Sequence, residues 1–314
     1  MMDIRQLRYF VAIVEQGSFS RAAKVLHVAQ PALSLHVRNM EDSLGAELLF
    51  RSARGVVPTD AGAILLRHAR AILDQIAVAG EEIRGQQADP EGEVRLGLPG
   101  TIGQIMAVPL ITAVHARFPR IKLRIAEAMS GFIHDWLRDD RIDLAVLYGK
   151  AADGDISTRA VLQEDLHFVA SATKPIAAPA HGAIPFAQLA QLPLILPGLG
   201  HGLRDLLERT AQAHEVSLNT AIDVDSYGNI KTLVRDGFGC SILPLNAIWA
   251  EVSSGSLKTW PISGPSMQRI AYLAQPTQRP LSNAAKAVLT LTQETLVDLV
   301  KDGRWIGAQL VSHG

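Results

Sequence analysis

The stretch from Ser18 to Thr59 constrains this chain more than any other. It opens Ser18-Phe19-Ser20-Arg21-Ala22-Ala23-Lys24-Val25-Leu26, turns at His27-Val28-Ala29, and restarts at Gln30-Pro31-Ala32-Leu33-Ser34. Upstream, Leu7, Phe10, Val11 and Val14 recur at helical spacing, so a helix is expected from about Ile4 to Gln16, stopped by Gly17. Ser18 is placed to cap the next helix, whose Ala22, Ala23 and Leu26 make a narrow apolar side suited to a close crossing. The third helix tolerates Pro31 in its first turn and ends at Gly45. Leu33, Val37, Met40 and Leu44 share one of its faces; Gln30, Ser34 and Arg38 stand a turn apart on another. Amide, hydroxyl and guanidinium groups are the chemistry that reads base edges and phosphates. A basic hairpin, Arg51-Ser52-Ala53-Arg54-Gly55-Val56-Val57-Pro58-Thr59, follows. An isolated helix could carry such a polar face merely as a solvated surface. Between a preceding helix and an arginine-bearing hairpin it forms the layout of a winged helix-turn-helix, which sets one helix in the DNA major groove.

Charge adds little to that reading. The 314 residues carry a net charge of −1. Residues 1–58 hold seven Lys/Arg against five Asp/Glu, an excess of the right sign but small, so the motif has to carry the DNA inference. With 48% hydrophobic and 19% charged residues, the chain can bury two or three domain cores and is not of the disordered class. The single Cys240 excludes an internal disulfide and a cysteine metal cluster. No apolar run is long enough to span a bilayer, and Met1-Met2-Asp3-Ile4-Arg5 does not open a signal peptide, so a cytoplasmic location without membrane association is expected.

Residues 60–87 read as one long helix, with Thr59 as its cap. Leu65, Ala69, Ile72, Ile76, Ala79 and Ile83 fall at alternating four- and three-residue intervals, a heptad seam that suits a dimer contact as well as packing on its own domain. Gly85–Gly92 is linker-like. From Glu93 the pattern becomes strand and helix in alternation. Val94–Leu98, Ile121–Ala126, Leu144–Leu147, Leu194–Leu196, Ala221–Val224 and Ser241–Leu243 are short apolar runs, several followed by helical stretches. That rhythm predicts parallel sheets covered by helices, in two lobes joined near 162–165 and 264–269. The expected class is therefore α+β multidomain: a winged helix-turn-helix at 1–59, a linker helix at 60–91, and a two-lobed α/β domain resembling periplasmic binding proteins. Its first lobe comprises 92–164 and 266–302, its second 165–265, and residues 303–314 form a tail.

Ligands of doubly wound domains bind at the carboxyl ends of strands, near helix N-termini. Applied here, the rule collects Gly100, Thr101, Ser130, Gly131, Tyr148, Pro197, Gly198, His201, Gly202, Ser226 and Tyr227, a set of hydroxyls and backbone N–H groups suited to a small polar or anionic metabolite. The same residues could equally be caps and turn formers. Catalytic constellations are not apparent. The ten histidines include no His-Glu-x-x-His pair, Gly97-Leu98-Pro99-Gly100 and Gly200-His201-Gly202 are not dinucleotide fingerprints, and no nucleophile elbow occurs; no cofactor or metal is expected.

Leu7-Arg8-Tyr9-Phe10, Gly17–Ala23, Gln30–Ser34, Leu48–Arg51, Arg54-Gly55 and Thr59-Asp60-Ala61-Gly62 occur in an order and at a spacing that resemble the LysR-type transcriptional regulators along essentially the whole chain. The resemblance implies a homodimer or homotetramer on an interrupted palindrome near promoters, with RNA polymerase as a further partner. Gln30, Pro31, Ser34, Leu35 and Arg38 would then meet the major groove, Ser18 and Arg21 would flank it, and Arg51 and Arg54 on the wing would meet phosphates or the minor groove. It also implies an inducer at Thr101, Ser130 and the 197–202 loop. Ala29 stands where most members have a capping Ser, Pro58 replaces the usual Leu, and Leu35 replaces a basic or polar residue. The first two, with Pro99-Gly100-Thr101 and Arg304-Trp305, resemble the nitrogen-assimilation-control branch, whose members would act without a small effector. A solute-binding protein with a vestigial first domain is the competing reading from another class; an enzyme on the two-lobed fold lacks a catalytic set.

Overall fold

A computed structural model describes residues 2–52, 55–84, 89–150, 154–174, 179 and 182–311. They divide into two compact units, Met1–Asp89 with Asp139–Arg141 and Gln278–Asn283, and Pro90–Arg138 with Ile142–Thr277 and Ala284–Gly314.

The first unit begins with α1 (Ile4–Gln16), α2 (Phe19–Leu26) and α3 (Gln30–Leu44), continues through the hairpin β1 (Leu49–Ser52) and β2 (Gly55–Pro58), and ends with α4 (Asp60–Arg84). Its helix ends follow from local chemistry. Asp3 and Gln6 form a reciprocal capping box on α1, the Ser18 hydroxyl accepts from Arg21 N on α2, and Gly17 and Gly45 take left-handed conformations that close α1 and α3. The motif Thr59-Asp60-Ala61-Gly62 has a steric explanation. The Thr59 hydroxyl donates to Glu47 O (2.6 Å) and accepts from Gly62 N (3.0 Å), and a Cβ on Gly62 would lie 2.0 Å from Leu48 O. Gly62 lets the helix start press onto the backbone at Leu48, just before β1. Leu7, Phe10, Ile13, Phe19, Ala22, Leu33, Val37 and Met40 form the core. Leu65 and Ala69 belong to that core as well, which corrects the six-residue seam: only Ile72, Ile76, Ala79 and Ile83 remain exposed. A helix that must first anchor to its own domain spends its first two turns doing so. Residues 85–88, into which the helix was expected to run, lie outside the described residues.

The second unit contains β3 (Gly92–Pro99), α5 (Gly100–Arg117), β4 (Ile121–Ala128), α6 (Ser130–Arg138), β5 (Leu144–Tyr148) and β6 (Ile156–Ser171). There follow β7 (Ile184–Pro185), a 3-10 helix (Phe186–Gln191), β8 (Leu194–Leu196), α7 (Gly202–Ala213), β9 (Thr220–Asp223), α8 (Tyr227–Arg235), β10 (Ser241–Pro244) and α9 (Leu245–Ser253). The chain closes with β11 (Leu257–Ser263), β12 (Gln268–Pro276), α10 (Asn283–Lys301) and β13 (Ala308–Leu310). β4, β3 and β5 are parallel, as the strand-helix rhythm predicts. In the second lobe β8 and β9 are parallel too, but the strands around β6 correct the expectation of parallel sheets. β12 is antiparallel to both β5 and β6, and β10, β11 and β13 are antiparallel to β6. β6 is the shared strand: its first part pairs with β12 and β13, its second with β10 and β11. The two lobes are thus halves of one hydrogen-bonded strand path. The described part of the tail, 303–311, is tied to the sheet. Trp305 is fully buried and β13 adds to β6, because the indole supplies a large apolar face together with a donor that β6 needs.

Candidate functional site

In the first unit, α3 turns Leu33, Val37 and Met40 inward and leaves Gln30, Pro31, Leu35 and Arg38 exposed, with Ser34 half-buried between them. Gln30 Nε2 donates to the Ser34 hydroxyl at 3.0 Å, so two of the expected base-reading groups hold each other in position. Leu35 is 58% exposed, an apolar projection amid polar neighbours. Ala29 makes no side-chain cap on α3; Ala32 N donates to Ala29 O (3.0 Å) and Pro31 has no N–H, so Gln30 N is the first-turn donor left to another acceptor. Unfilled N–H groups at a helix start attract phosphate.

The wing is fastened to the helices. Val56 N donates to Gly17 O at 3.0 Å, and a Cβ on Gly55 would lie 2.7 Å from that same oxygen, so only glycine permits the approach. Arg51, expected to meet phosphates or the minor groove, is also braced within its own unit. Its guanidinium is 3.5 Å from Glu41 and 4.8 Å above the Phe19 ring, which fixes its position while leaving it half-exposed. Ser18 is spent on its cap, Arg21 is exposed, and Arg54 lies outside the described residues.

In the second unit, the strand-end rule brings most of its predicted residues together. Gly100, Thr101, Ser130, Tyr148, His201, Gly202 and Tyr227 line a cavity of about 390 Å³ with Glu127, Met129, Phe132 and Asp225. A larger space of about 940 Å³ adjoins it, sharing Ser130, Tyr148, Gly202 and Leu203, and it is this one that Gly131 lines. Pro197, Gly198 and Ser226 line neither cavity, a correction with a plain cause. The Pro197 carbonyl accepts from Arg204 (3.2 Å), Gly198 N donates to Asp225 (2.9 Å), and Ser226 caps α8. These residues brace the walls.

The floor of the cleft is a polar cluster that sequence reasoning missed: Thr101 lines the smaller cavity, Arg269 the larger, and Tyr148 both. Glu164 on β6 and Arg269 on β12 are cross-strand partners, paired at 2.8 Å and 1% and 5% exposed. Arg269 Nη2 donates to the Thr101 hydroxyl (2.9 Å) and to Tyr148 Oη (2.8 Å), and its guanidinium lies 3.6 Å from the Tyr148 ring centroid. Tyr148 donates to Glu164 Oε2 (2.7 Å), and Trp305 Nε1 donates to Oε1 (2.6 Å). Burial alone would weaken the Arg269 cation, but Glu164 and the two tyrosines outweigh it and hold its pKa above the usual arginine value. Burial pushes the Tyr148 phenol well above its ordinary range, more than Arg269 can offset. Every charge in the floor is therefore matched. Its sequence signals were Arg269, the one charge within Gln268–Pro276, and Glu164, which stands beside Asp165 within Ile156–Ser171.

His201 stands over this floor. Its Nδ1 accepts from Leu203 N at 3.1 Å and its ring meets Tyr227 edge-on at 5.8 Å. Burial, with a smaller push from Arg269, lowers its pKa, so it stays neutral and keeps the cap.

Profile comparison assigns residues 4–63 to "Bacterial regulatory helix-turn-helix protein, lysR family" and residues 87–297 to "LysR substrate binding domain". The chain belongs to the LysR family. It is a DNA-binding transcriptional regulator with an effector-binding domain. Among characterised relatives, the nitrogen assimilation regulatory protein nac of Escherichia coli K12 is 35% identical, over 99% of this chain and 100% of its own length. The protein of the same name from Klebsiella aerogenes is 32% identical over 95% of both chains. Among solved structures, a point variant of full-length OxyR from Pseudomonas aeruginosa is 26% identical with a TM-score of 0.78, covering 94% of this chain and 98% of that one. The two-lobed LysR arrangement is therefore shared with a relative that is only distantly similar in sequence. The family comprises regulators, not enzymes.

Proposed function

We propose that this LysR regulator reads an interrupted palindrome near promoters as a homodimer or a dimer of dimers, entering successive major grooves with α3. The observation that carries the proposal is the face Gln30, Pro31, Leu35 and Arg38, exposed around a half-buried Ser34, over a buried Leu33, Val37 and Met40. Two-fold symmetry sets the recognition helices one DNA turn, or a multiple of it, apart. Arg38 supplies a guanine-edge or phosphate contact and Leu35 a face for a thymine methyl. Arg21, Arg51 and Arg54 supply backbone contacts, and the exposed half of the α4 seam supplies the dimer contact. RNA polymerase is the further partner, the cytoplasm the location, and the cleft around Thr101, Ser130, His201 and Tyr227 the site of a small polar effector.

Electrophoretic shifts of the full chain on its own upstream intergenic DNA test this. At fixed salt, Arg38→Ala should weaken specific binding by about 1–3 kcal/mol. Binding no tighter than on unrelated duplex, or an unchanged dissociation constant in the variant, overturns the proposal. A second reading, control without any effector, is favoured by one observation: the buried polar groups of the floor satisfy one another. Transcription in vitro that responds to the protein's concentration and to no metabolite pool would support it.

A further inference from the structure

Glu41 lies near the end of α3, and the chain reverses just after it. Gly45 closes the helix, and Gly45 N and Ala46 N (3.2 Å) both donate to the Glu41 carbonyl. The reversal brings Leu48 back to the side chain, where Leu48 N donates to Glu41 Oε1 at 2.9 Å. The second carboxylate oxygen stands 3.5 Å from Arg51 Nη2 on β1. The Arg51 guanidinium in turn lies 4.8 Å from the ring centroid of Phe19, the first residue of α2. One carboxylate on the DNA-reading helix therefore ties α3 to the entry of the wing and to the wing's own arginine, which rests on α2. The Glu41 side chain is 17% exposed and that of Arg51 48%, so the carboxylate is withdrawn while the cation presents its outer edge. A guanidinium carries five N–H groups, and one such contact leaves others for an outside acceptor. A pair at 3.5 Å with so exposed an arginine contributes little to stability. Its effect is on where the guanidinium can go.

We infer that Glu41 is a positioning residue for DNA specificity, which makes the phosphate contact of Arg51 conditional on α3 being seated in the groove. The inference rests on the proposed role of Arg51 as a backbone contact. A free arginine on a hairpin swings through many rotamers and finds a phosphate on any duplex, which adds sequence-independent affinity. An arginine held by a carboxylate of the recognition helix moves with that helix. It meets a phosphate at the one spacing set when α3 reads base edges, so its contact is added to the specific complex and withheld from loosely docked ones. Holding the side chain beforehand also removes part of the ordering cost on binding. The Glu41 charge repels phosphates as well, but it does so wherever the protein docks, and that cost cancels in the ratio of specific to non-specific affinity.

The test compares the full chain and its variants on its own upstream intergenic DNA and on unrelated duplex of equal length, across a series of salt concentrations. Glu41→Gln keeps an acceptor for Leu48 N and removes the hold on Arg51. It should bind unrelated duplex more tightly and the upstream DNA no more tightly, narrowing the ratio of the two affinities by about threefold to tenfold. Asp42→Asn removes the same charge from an exposed position of the same helix, and should raise both affinities alike. With Glu41 present, Arg51→Ala should lower the slope of log affinity against log salt by about 1 on the upstream DNA alone; in Glu41→Gln it should do so on both duplexes. Should Glu41→Gln fail to fold, Arg51→Lys carries the test. It keeps the charge on the wing but not the planar fork, and should narrow the ratio while unrelated-duplex affinity holds. A parent that discriminates between the duplexes, with a ratio unchanged in Glu41→Gln or narrowed as much by Asp42→Asn, overturns the inference and leaves the regulator reading standing. So does a slope that Arg51→Ala lowers on both duplexes with Glu41 in place. A parent that binds the two duplexes alike overturns that reading as well.

Discussion

Glu164→Gln isolates what the buried cluster contributes, because it removes a charge and almost no volume. Glu164 accepts from three donors: Trp305 Nε1 at 2.6 Å, Tyr148 Oη at 2.7 Å and Arg269 Nε at 2.8 Å. A glutamine in the same place has one acceptor oxygen and one NH₂. Either orientation sets the NH₂ against a donor, Trp305 on one side or Arg269 and Tyr148 on the other, and both leave Arg269 buried without a counter-ion. Removing one partner of a buried pair costs about 3–5 kcal/mol, which puts the expected loss at no less than about 3 kcal/mol. All four tryptophans, Trp136, Trp249, Trp260 and Trp305, lie in the second unit, so fluorescence during urea unfolding reports on that unit alone. With a slope of about 2–3 kcal/mol per molar for a domain of this size, the midpoint should fall by about 1–2 M. Arg269→Met on its own should cost a similar amount, since it strands Glu164 instead. The double variant should be less damaged than the sum of the two by about 2–3 kcal/mol. A midpoint shift under about 0.3 M, or full additivity, would show that the charges are solvated in the folded protein and that the cluster does not hold the shared strands.

Three further outcomes follow from the geometry. Burial lowers the His201 pKa below its ordinary 6.5, so the unfolded chain binds that proton more readily; stability should be complete above about pH 6.5 and decline as pH falls toward 5, and His201→Asn, which keeps an acceptor for Leu203 N, should flatten that decline in pH-dependent urea midpoints. Cys240 is buried, with its thiol pushed up to about 11, so the native protein should resist a thiol-disulfide reagent at pH 8 and react on unfolding; its contribution to stability should be complete below the usual thiol range near pH 9 and lost as pH rises toward 11, a loss that Cys240→Ala would abolish. Ile72→Glu places a charge on the exposed half of the α4 seam, and light scattering should then report a lower mass than for the parent; an unshifted mass rejects that seam as the subunit contact.

Much of the first unit was legible because its determinants are local. Gly17, Ser18, Pro31 and Thr59 act on helix ends within three residues of themselves, and apolar periodicity turns Leu33, Val37 and Met40 inward whatever the rest of the chain does. The heptad at 65–83 was legible as a seam but not as a divided one. Spacing cannot tell an intramolecular neighbour from a subunit partner, and α1 claimed Leu65 and Ala69. In the second unit the strand-end rule found Thr101, Ser130, Tyr148, His201 and Tyr227, since strands that alternate with helices leave their carboxyl ends together. It also drew in Pro197, Gly198 and Ser226, because the same residue types brace loops and cap helices.

The sequence by itself determined the winged helix-turn-helix, the strand-helix rhythm and membership of the LysR family, all of which rest on residues that act on near neighbours. Only the tertiary structure decided what lies under the cleft. Glu164 and Arg269 are 105 positions apart, Arg269 and Thr101 168, and Glu164 and Trp305 141. A charge in a strand carries no mark of the partner that will neutralise it, and burial, which makes that pairing necessary, exists only once β6, β12 and the C-terminal segment have come together. The same holds for the two cavities. Each charged side chain is visible in the sequence, but which of them share a wall is settled by the fold.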